Sequence, residues 1–204
     1  MRTKLLVATH NPGKVQEYRE LLADLPLDVT WLDAEGITFE AEENGNTFEA
    51  NAILKATTYA GAAGLLTWAD DSGLEVDHLG GWPGVASARH AGPEATDQDR
   101  VRILLSRLEG VPYAQRAAVF RCVVALAWPD GRVFTASGSS SGVIAEQPAG
   151  TNGFGYDPVF FIPKYGRTYA QLAPDEKHAI SHRGRAARRA RVLLEHRLAK
   201  ETGE

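Results

Sequence analysis

Along the first third of the chain the apolar positions switch between two periods. Lys4 to Ala8 is a short, nearly continuous apolar run, as in a strand covered on both faces. After the polar stretch "THNPGK" (9–14), Val15, Tyr18, Leu21, Leu22 and Leu25 recur at helical spacing. Asp28 to Leu32 reads as a second strand. An acidic loop then leads into a helix over "TFEANAILKATTYAGAAG" (47–64), for which Asn46 and Glu49 have the spacing of a capping box. Leu65 to Ala69 returns as a strand. This strand, helix, strand order predicts an α/β sheet, with "WADDSG" (68–73) as a turn at the carboxyl end of a strand, where open α/β sheets place their ligands.

The pattern then changes. "GGWPGVASARHAG" (80–92) is a glycine-rich loop and a candidate for a dimer interface. A helix starts at Thr96 or Asp97, carries Val101, Leu104, Leu105 and Leu108, and ends at Gly110. "AAVFRCVVALAW", then Pro129-Asp130-Gly131, then "RVFTASGSSSGVI" predicts a β-hairpin. The tail "RGRAARRARVLLEHRLAK" holds six arginines, with Ala187, Ala190, Leu194 and Leu198 as an apolar stripe. It reads as an amphipathic helix with a solvated basic face, with RNA binding as the second reading. With no repeat and no long linker, one domain spans residues 1–204, built as two lobes around a groove.

Composition narrows the function classes. A chain of 204 residues, 44% hydrophobic and 24% charged, is ordinary for a globular fold. It is long enough to bury about 70% of the surface its unfolded form exposes. A net charge of −4 argues against general polyanion binding over the whole surface, so a nucleotide would have to be held locally. The single cysteine, Cys122, lies in an apolar run; it permits no internal disulfide and no cysteine-based zinc site. The N-terminus has no signal-peptide pattern, and nowhere do about 18 apolar residues run together, which predicts a cytosolic protein.

Five segments hold more polar and glycine residues than their surroundings require. "THNPGK" shares with phosphate-binding loops a glycine, a following lysine and a helix start. It is not a Walker A loop, because Ala8 and Val15 stand where that motif needs Gly and Ser/Thr. What remains is a turn with Thr9, Asn11 and Lys14 as anion donors and Pro12 in the first helical turn. Glu42 and Glu43, with Asp70 and Asp71, are the material of an all-oxygen site of the kind that suits Mg²⁺. Phe154, among Gly150, Gly153 and Gly155, is either a ring presented for stacking or a core aromatic on a turn. His178 and His182 are four apart, yet the glutamate of a HExxH zinc site is missing and Gly184 follows closely.

Taken in order, "LLVATHNPGK", "TFEANAILKA", "ADDSGLEVD", "LGGWPGVASAR", "PAGTNGFGYDPVF" and "EKHAISHRG" resemble the inosine triphosphate pyrophosphatase family, most closely its bacterial branch. These enzymes hydrolyse non-standard purine nucleoside triphosphates (ITP, dITP and XTP) to the monophosphate and pyrophosphate, cleansing the nucleotide pool. The resemblance implies an elongated α/β fold with two lobes flanking a central substrate cleft, a homodimer and a Mg²⁺ cofactor. Position by position, it assigns the triphosphate to Thr9, Asn11 and Lys14, within the turn that also holds His10, Pro12 and Gly13, and to Lys55. It assigns the metal to Glu42 or Glu43 and to Asp71. Asp71 is further implied as acceptor of the attacking water's proton, Asp70 as its support, and Ser72 as a substrate contact. Phe154, Gly155, Tyr156, Asp157, Lys177, His182 and Arg183 are implied for the nucleotide and its base, where Arg183 and backbone amides would donate to the 6-oxo group and N7; adenine offers a donor there instead. His10 departs from the small residue many relatives carry, and would either crowd the turn or add a donor. Two other readings remain: the same chemistry on another damaged nucleotide, and a non-catalytic nucleotide sensor.

Overall fold

The computed structural model describes residues 2–202. Twelve elements matter for the site: β1 (Thr3–Val7), α1 (Pro12–Leu21), β2 (Leu27–Trp31), α2 (Phe48–Ala63), β3 (Leu66–Val76), α3 (Asp97–Arg107), β4 (Ala117–Ala127), β5 (Val133–Ile144), β6 (Phe160–Ile162), β7 (Arg167–Thr168), α4 (Pro174–Ile180) and α5 (His182–Thr202). The strands form a mixed sheet in the order β2-β1-β3-β4-β5-β6-β7, which confirms the α/β class. β1 is parallel to both neighbours, with Leu5 opposite Val29 on one side and Leu66 on the other. Parallel strands need crossover connections, and α1 between β1 and β2 and α2 between β2 and β3 supply them, as the early switch of period predicts.

The chain divides into two compact units, and β3, β4 and β5 contribute to both. In the first (Met1–Asp71, Cys122–Gly138, Arg183–Glu204), strict alternation sorts the strand residues onto two faces. Leu5, Val7, Trp68, Cys122, Val124 and Leu126 pack with Tyr18 and Leu22 of α1 and with Ala186, Ala187, Ala190 and Leu194 of α5. Leu6, Ala8, Ala69, Ala125 and Ala127 face the other way, against Ala52, Ala56, Tyr59 and Ala60 of α2. The second unit (Ser72–Arg121, Ser139–His182) has its own core, in which Val101 and Leu104 of α3, with Leu108 just past its end, meet Leu74, Val76, Phe120, Ile144 and Phe160.

Two expectations need correction. The "WADDSG" segment is not a turn: β3 runs on through Val76, and Asp70 and Asp71 sit inside it. Asp, Ser and Gly favour turns, but here buried cations satisfy the carboxylates and the strand continues. The cap of α2 is Thr47, whose hydroxyl accepts from Ala50 N at 3.0 Å, while Glu49 takes the Thr135 hydroxyl instead of closing a box with Asn46. His178 and His182 lie on different helices, because the chain is extended at Ser181 between α4 and α5.

The basic tail helix is anchored to its own unit. Arg189 donates to the Ser137 carbonyl, Arg191 to the Leu21 carbonyl and Asp24, and Arg197 lies over the Phe134 ring. The glycine-rich loop is likewise folded back: Ser87 Oγ accepts from Leu74 N, and Tyr156 donates to the Ser87 carbonyl while meeting His90 Nε2 at 2.6 Å. Among the described residues, no helix is long and apolar enough to cross a membrane.

Candidate active site

The turn after β1 is built as a helix start. Asn11 caps α1, its side-chain oxygen accepting from Lys14 N at 3.1 Å, and Pro12 occupies the first turn, where no intrahelical N–H is lost. Thr9 Oγ1 accepts from Asn11 N. The first amides of α1 and the Lys14 ammonium therefore stand at one helix end, suited to an anion. His10 turns away: its Nδ1 faces Asp33 at 2.8 Å and its Nε2 the Phe39 carbonyl at 3.4 Å. Its ring neither crowds the turn nor adds a donor to it.

Asp70 and Asp71 are neighbours on one strand, so their side chains leave opposite faces. Asp70 joins the α1/α5 face, where Lys14 Nζ lies 3.0 Å and Arg183 Nη2 3.6 Å from its Oδ2 and the Cys122 thiol donates at 3.7 Å. Arg183 is itself held by Glu17 at 2.6 Å. Asp71 joins the α2 face. Its Oδ2 accepts from Asn51 Nδ2 at 3.1 Å, and its Oδ1 is 3.6 Å from Lys55 Nζ, which also pairs with Glu43 at 2.8 Å.

These surroundings drive the two acids apart. Burial alone would raise the Asp70 carboxyl, but Lys14, Arg183 and Lys55 overcome it and hold the group far below the usual carboxylate range. Asp71 moves the other way, because burial, with a smaller push from Glu43, outweighs Lys55, Lys14 and Asn51. Asp70 is thus fixed as an anion, and Asp71 is the stronger base. Burial and the Asp70 charge push the Cys122 thiol up to about 12, so it stays protonated. The native protein is expected to release no thiolate to a disulfide reagent at pH 8, and the single Cys122 equivalent on unfolding in guanidinium, read by absorbance.

The donors fit a hard divalent cation. The Lys55 ammonium already bridges Glu43 and Asp71, so a positive charge is accommodated between two carboxylates, and the oxygen-only pair matches Mg²⁺ chemistry. Among the described residues, no set of three or more His, Cys, Asp or Glu side chains is gathered for a metal; two carboxylates are enough for Mg²⁺, which takes water and phosphate oxygens besides. Of the two glutamates the sequence left open, Glu43 meets Lys55, whereas Glu42 is exposed.

Within the second unit, Asp157 organises the residues assigned to the nucleotide. Its carboxylate is 2.6 Å from Lys177 Nζ and accepts from Phe154 N at 2.9 Å. A Cβ on Gly153, whose φ is +75°, would fall 2.0 Å from the same oxygen, so only glycine lets the loop close on it. Lys177 lies 5.1 Å from the centre of the half-buried Phe154 ring. Gly155 N donates to Asp97, Tyr156 is buried against the glycine-rich loop, His182 stacks on Phe120 at 4.4 Å, and Ser72 is half-buried in β3.

A model of the Ham1 family matches residues 5–192. The chain belongs to the Ham1 family. A Bacillus subtilis (strain 168) relative named dITP/XTP pyrophosphatase is 48% identical over 190 residues, 93% of this chain and 96% of the relative. One of the same name from Desulforamulus reducens is 51% identical over 192 residues, 94% of this chain and 95% of its own. The solved HAM1 protein of Coxiella burnetii superposes with a TM-score of 0.85 at 41% identity, covering 95% of this chain and 99% of that one. In this Ham1-family chain, two members of the charged cluster lie outside every residue singled out from sequence. Asn51 precedes Lys55 by one helical turn among alanines, and Glu17 is one turn beyond Lys14; a polar residue sharing a face with a candidate lysine was the available signal.

Proposed function

We propose that this chain hydrolyses ITP, dITP and XTP to the monophosphate and pyrophosphate in a Mg²⁺-dependent reaction, keeping non-standard purines out of the nucleotide pool. The observation that carries this reading is the divergence of Asp70 and Asp71. One carboxylate is an anchored anion beside Lys14, and the other is a buried base between Lys55 and Asn51. Close relatives named dITP/XTP pyrophosphatase support the substrate class.

A triphosphate brings about four negative charges at neutral pH, which must be offset before a nucleophile can approach. Lys14, presented by Asp70 at the start of α1, and Lys55 on α2 are the protein's cations for that purpose. Mg²⁺, held by Glu43 and Asp71, would supply further neutralisation of the phosphates when bound. Asp71 Oδ2 is occupied by the Asn51 amide, so Oδ1 is the atom that takes the proton of the attacking water. The bond between the α- and β-phosphates breaks, and the water oxygen completes one of the two products. Phe154 and Lys177, positioned by Asp157, are assigned to the nucleotide. The assembly proposed is a homodimer, to be read by light scattering on a sizing column.

A panel of ITP, dITP, XTP, dATP, dGTP and dUTP, with Mg²⁺ and with EDTA, tests the reading. Pyrophosphate is expected from the first three in Mg²⁺ and from none in EDTA. Equal release from dATP and dGTP, or orthophosphate as the product, overturns it.

A further inference from the structure

Helix α2 carries two bridges, one turn apart, to the same two partners. Lys55 joins Glu43 to Asp71 through its ammonium. Asn51, completely buried, joins the same loop to the same aspartate through its amide: Oδ1 accepts from Gly45 N at 2.8 Å, and Nδ2 donates to Asp71 Oδ2 at 3.1 Å. The bridges differ in charge. An ammonium competes with a divalent cation for carboxylates and can turn to a phosphate, whereas a neutral amide keeps its bonds whether or not a cation is present.

The loop is shaped to make the amide bridge. A Cβ on Gly45 would lie 2.7 Å from Asn51 Oδ1 and 2.8 Å from the Ala50 Cβ, so any side chain there forces the loop away from α2. Gly45 is two residues from Glu43, and displacing it moves that glutamate relative to Asp71. We infer that Asn51, seated by Gly45, is a positioning residue that fixes the spacing of Glu43 and Asp71 so that both carboxylates can ligate one divalent cation. The inference rests on the proposed metal-dependent function and adds the residue that builds its metal site.

The test uses Asn51→Ala and Gly45→Ala in the full chain, with Mn²⁺ as a spectroscopic probe. Binding is followed by the paramagnetic resonance of free Mn²⁺, with and without the non-hydrolysable α,β-methylene analogue of ITP. Both variants are expected to bind Mn²⁺ about tenfold or more weakly, the usual cost of losing a group that orients metal ligands. At saturating Mn²⁺ their KM for ITP is expected to stay within about threefold of the parent, a split that general unfolding does not produce. Gly45→Ala, in a loop with Asn51 intact, decides the matter if Asn51→Ala does not fold. Parental Mn²⁺ affinity in a folded variant overturns the inference. A parent protein that neither binds Mn²⁺ nor hydrolyses ITP overturns the proposed function instead.

Discussion

Asp71→Asn is expected to lower turnover of ITP by about 10³-fold while leaving nucleotide affinity within a few-fold of the parent. The amide keeps the shape of the carboxylate, yet it cannot accept a proton at Oδ1 and is a poor metal ligand. Pyrophosphate release, measured beside calorimetric binding of the α,β-methylene analogue, separates chemistry from affinity. Undiminished release by the variant removes Asp71 from the role of base. A second effect follows from the same burial. The fold raises the Asp71 carboxyl, so in the metal-free protein its ionised form opposes folding at neutral pH, and the opposition fades as pH falls and the group takes up its proton. Asp71→Asn is therefore expected to melt above the parent at pH 7 without metal, with a margin that shrinks towards pH 4. Stability gained as activity is lost is the mark of a strained functional group.

The origin of that strain also explains what the sequence could and could not convey. Periodicity revealed β1, α1, β2, α2 and the β4–β5 hairpin, because each buries an apolar stripe whose spacing is local information. It missed the continuation of β3. Asp70, Asp71, Ser72 and Gly73 have the composition of a turn, and what keeps them extended lies elsewhere: Lys14 on α1, Lys55 and Asn51 on α2, Arg183 on α5. The motif "WADDSG" was legible as chemistry but not as geometry. That the two acids diverge follows from strand alternation, which becomes visible only once the segment is known to be a strand. Arg183 shows the complementary limit. Resemblance implies Arg183 for the base; the residue is 3% exposed and its guanidinium engages Glu17 and Asp70, a pairing set by a glutamate that is 166 positions away in sequence.

That burial makes Arg183→Met the most destabilising of the changes considered. Removing one partner of a buried ionic group leaves the others uncompensated, at a cost of about 3–5 kcal/mol. Here the abandoned groups are Glu17 and, in part, Asp70, which keeps Lys14. For a chain of this length the loss corresponds to a fall in Tm of roughly 6–20 °C. The pH dependence has a definite sign. Asp70 titrates far lower in the folded protein than in the unfolded chain, so its stabilisation is complete above the unfolded value of about 3.9 and is lost as pH falls below it. The gap between parent and variant is thus widest near neutrality and narrows in acid. Adding Glu17→Gln to Arg183→Met removes the stranded carboxylate and is expected to recover much of the loss, which a cycle of thermal melts would measure. A variant that melts with the parent but shows a raised KM for ITP and unchanged rejection of dATP would mean that Arg183 meets the substrate without reading its 6-oxo group. Lost rejection of dATP at parental stability would assign it to the base. A fall in Tm restored by the Glu17 change assigns it to the charged core that holds Asp70 and, through it, Lys14 in place for the phosphates.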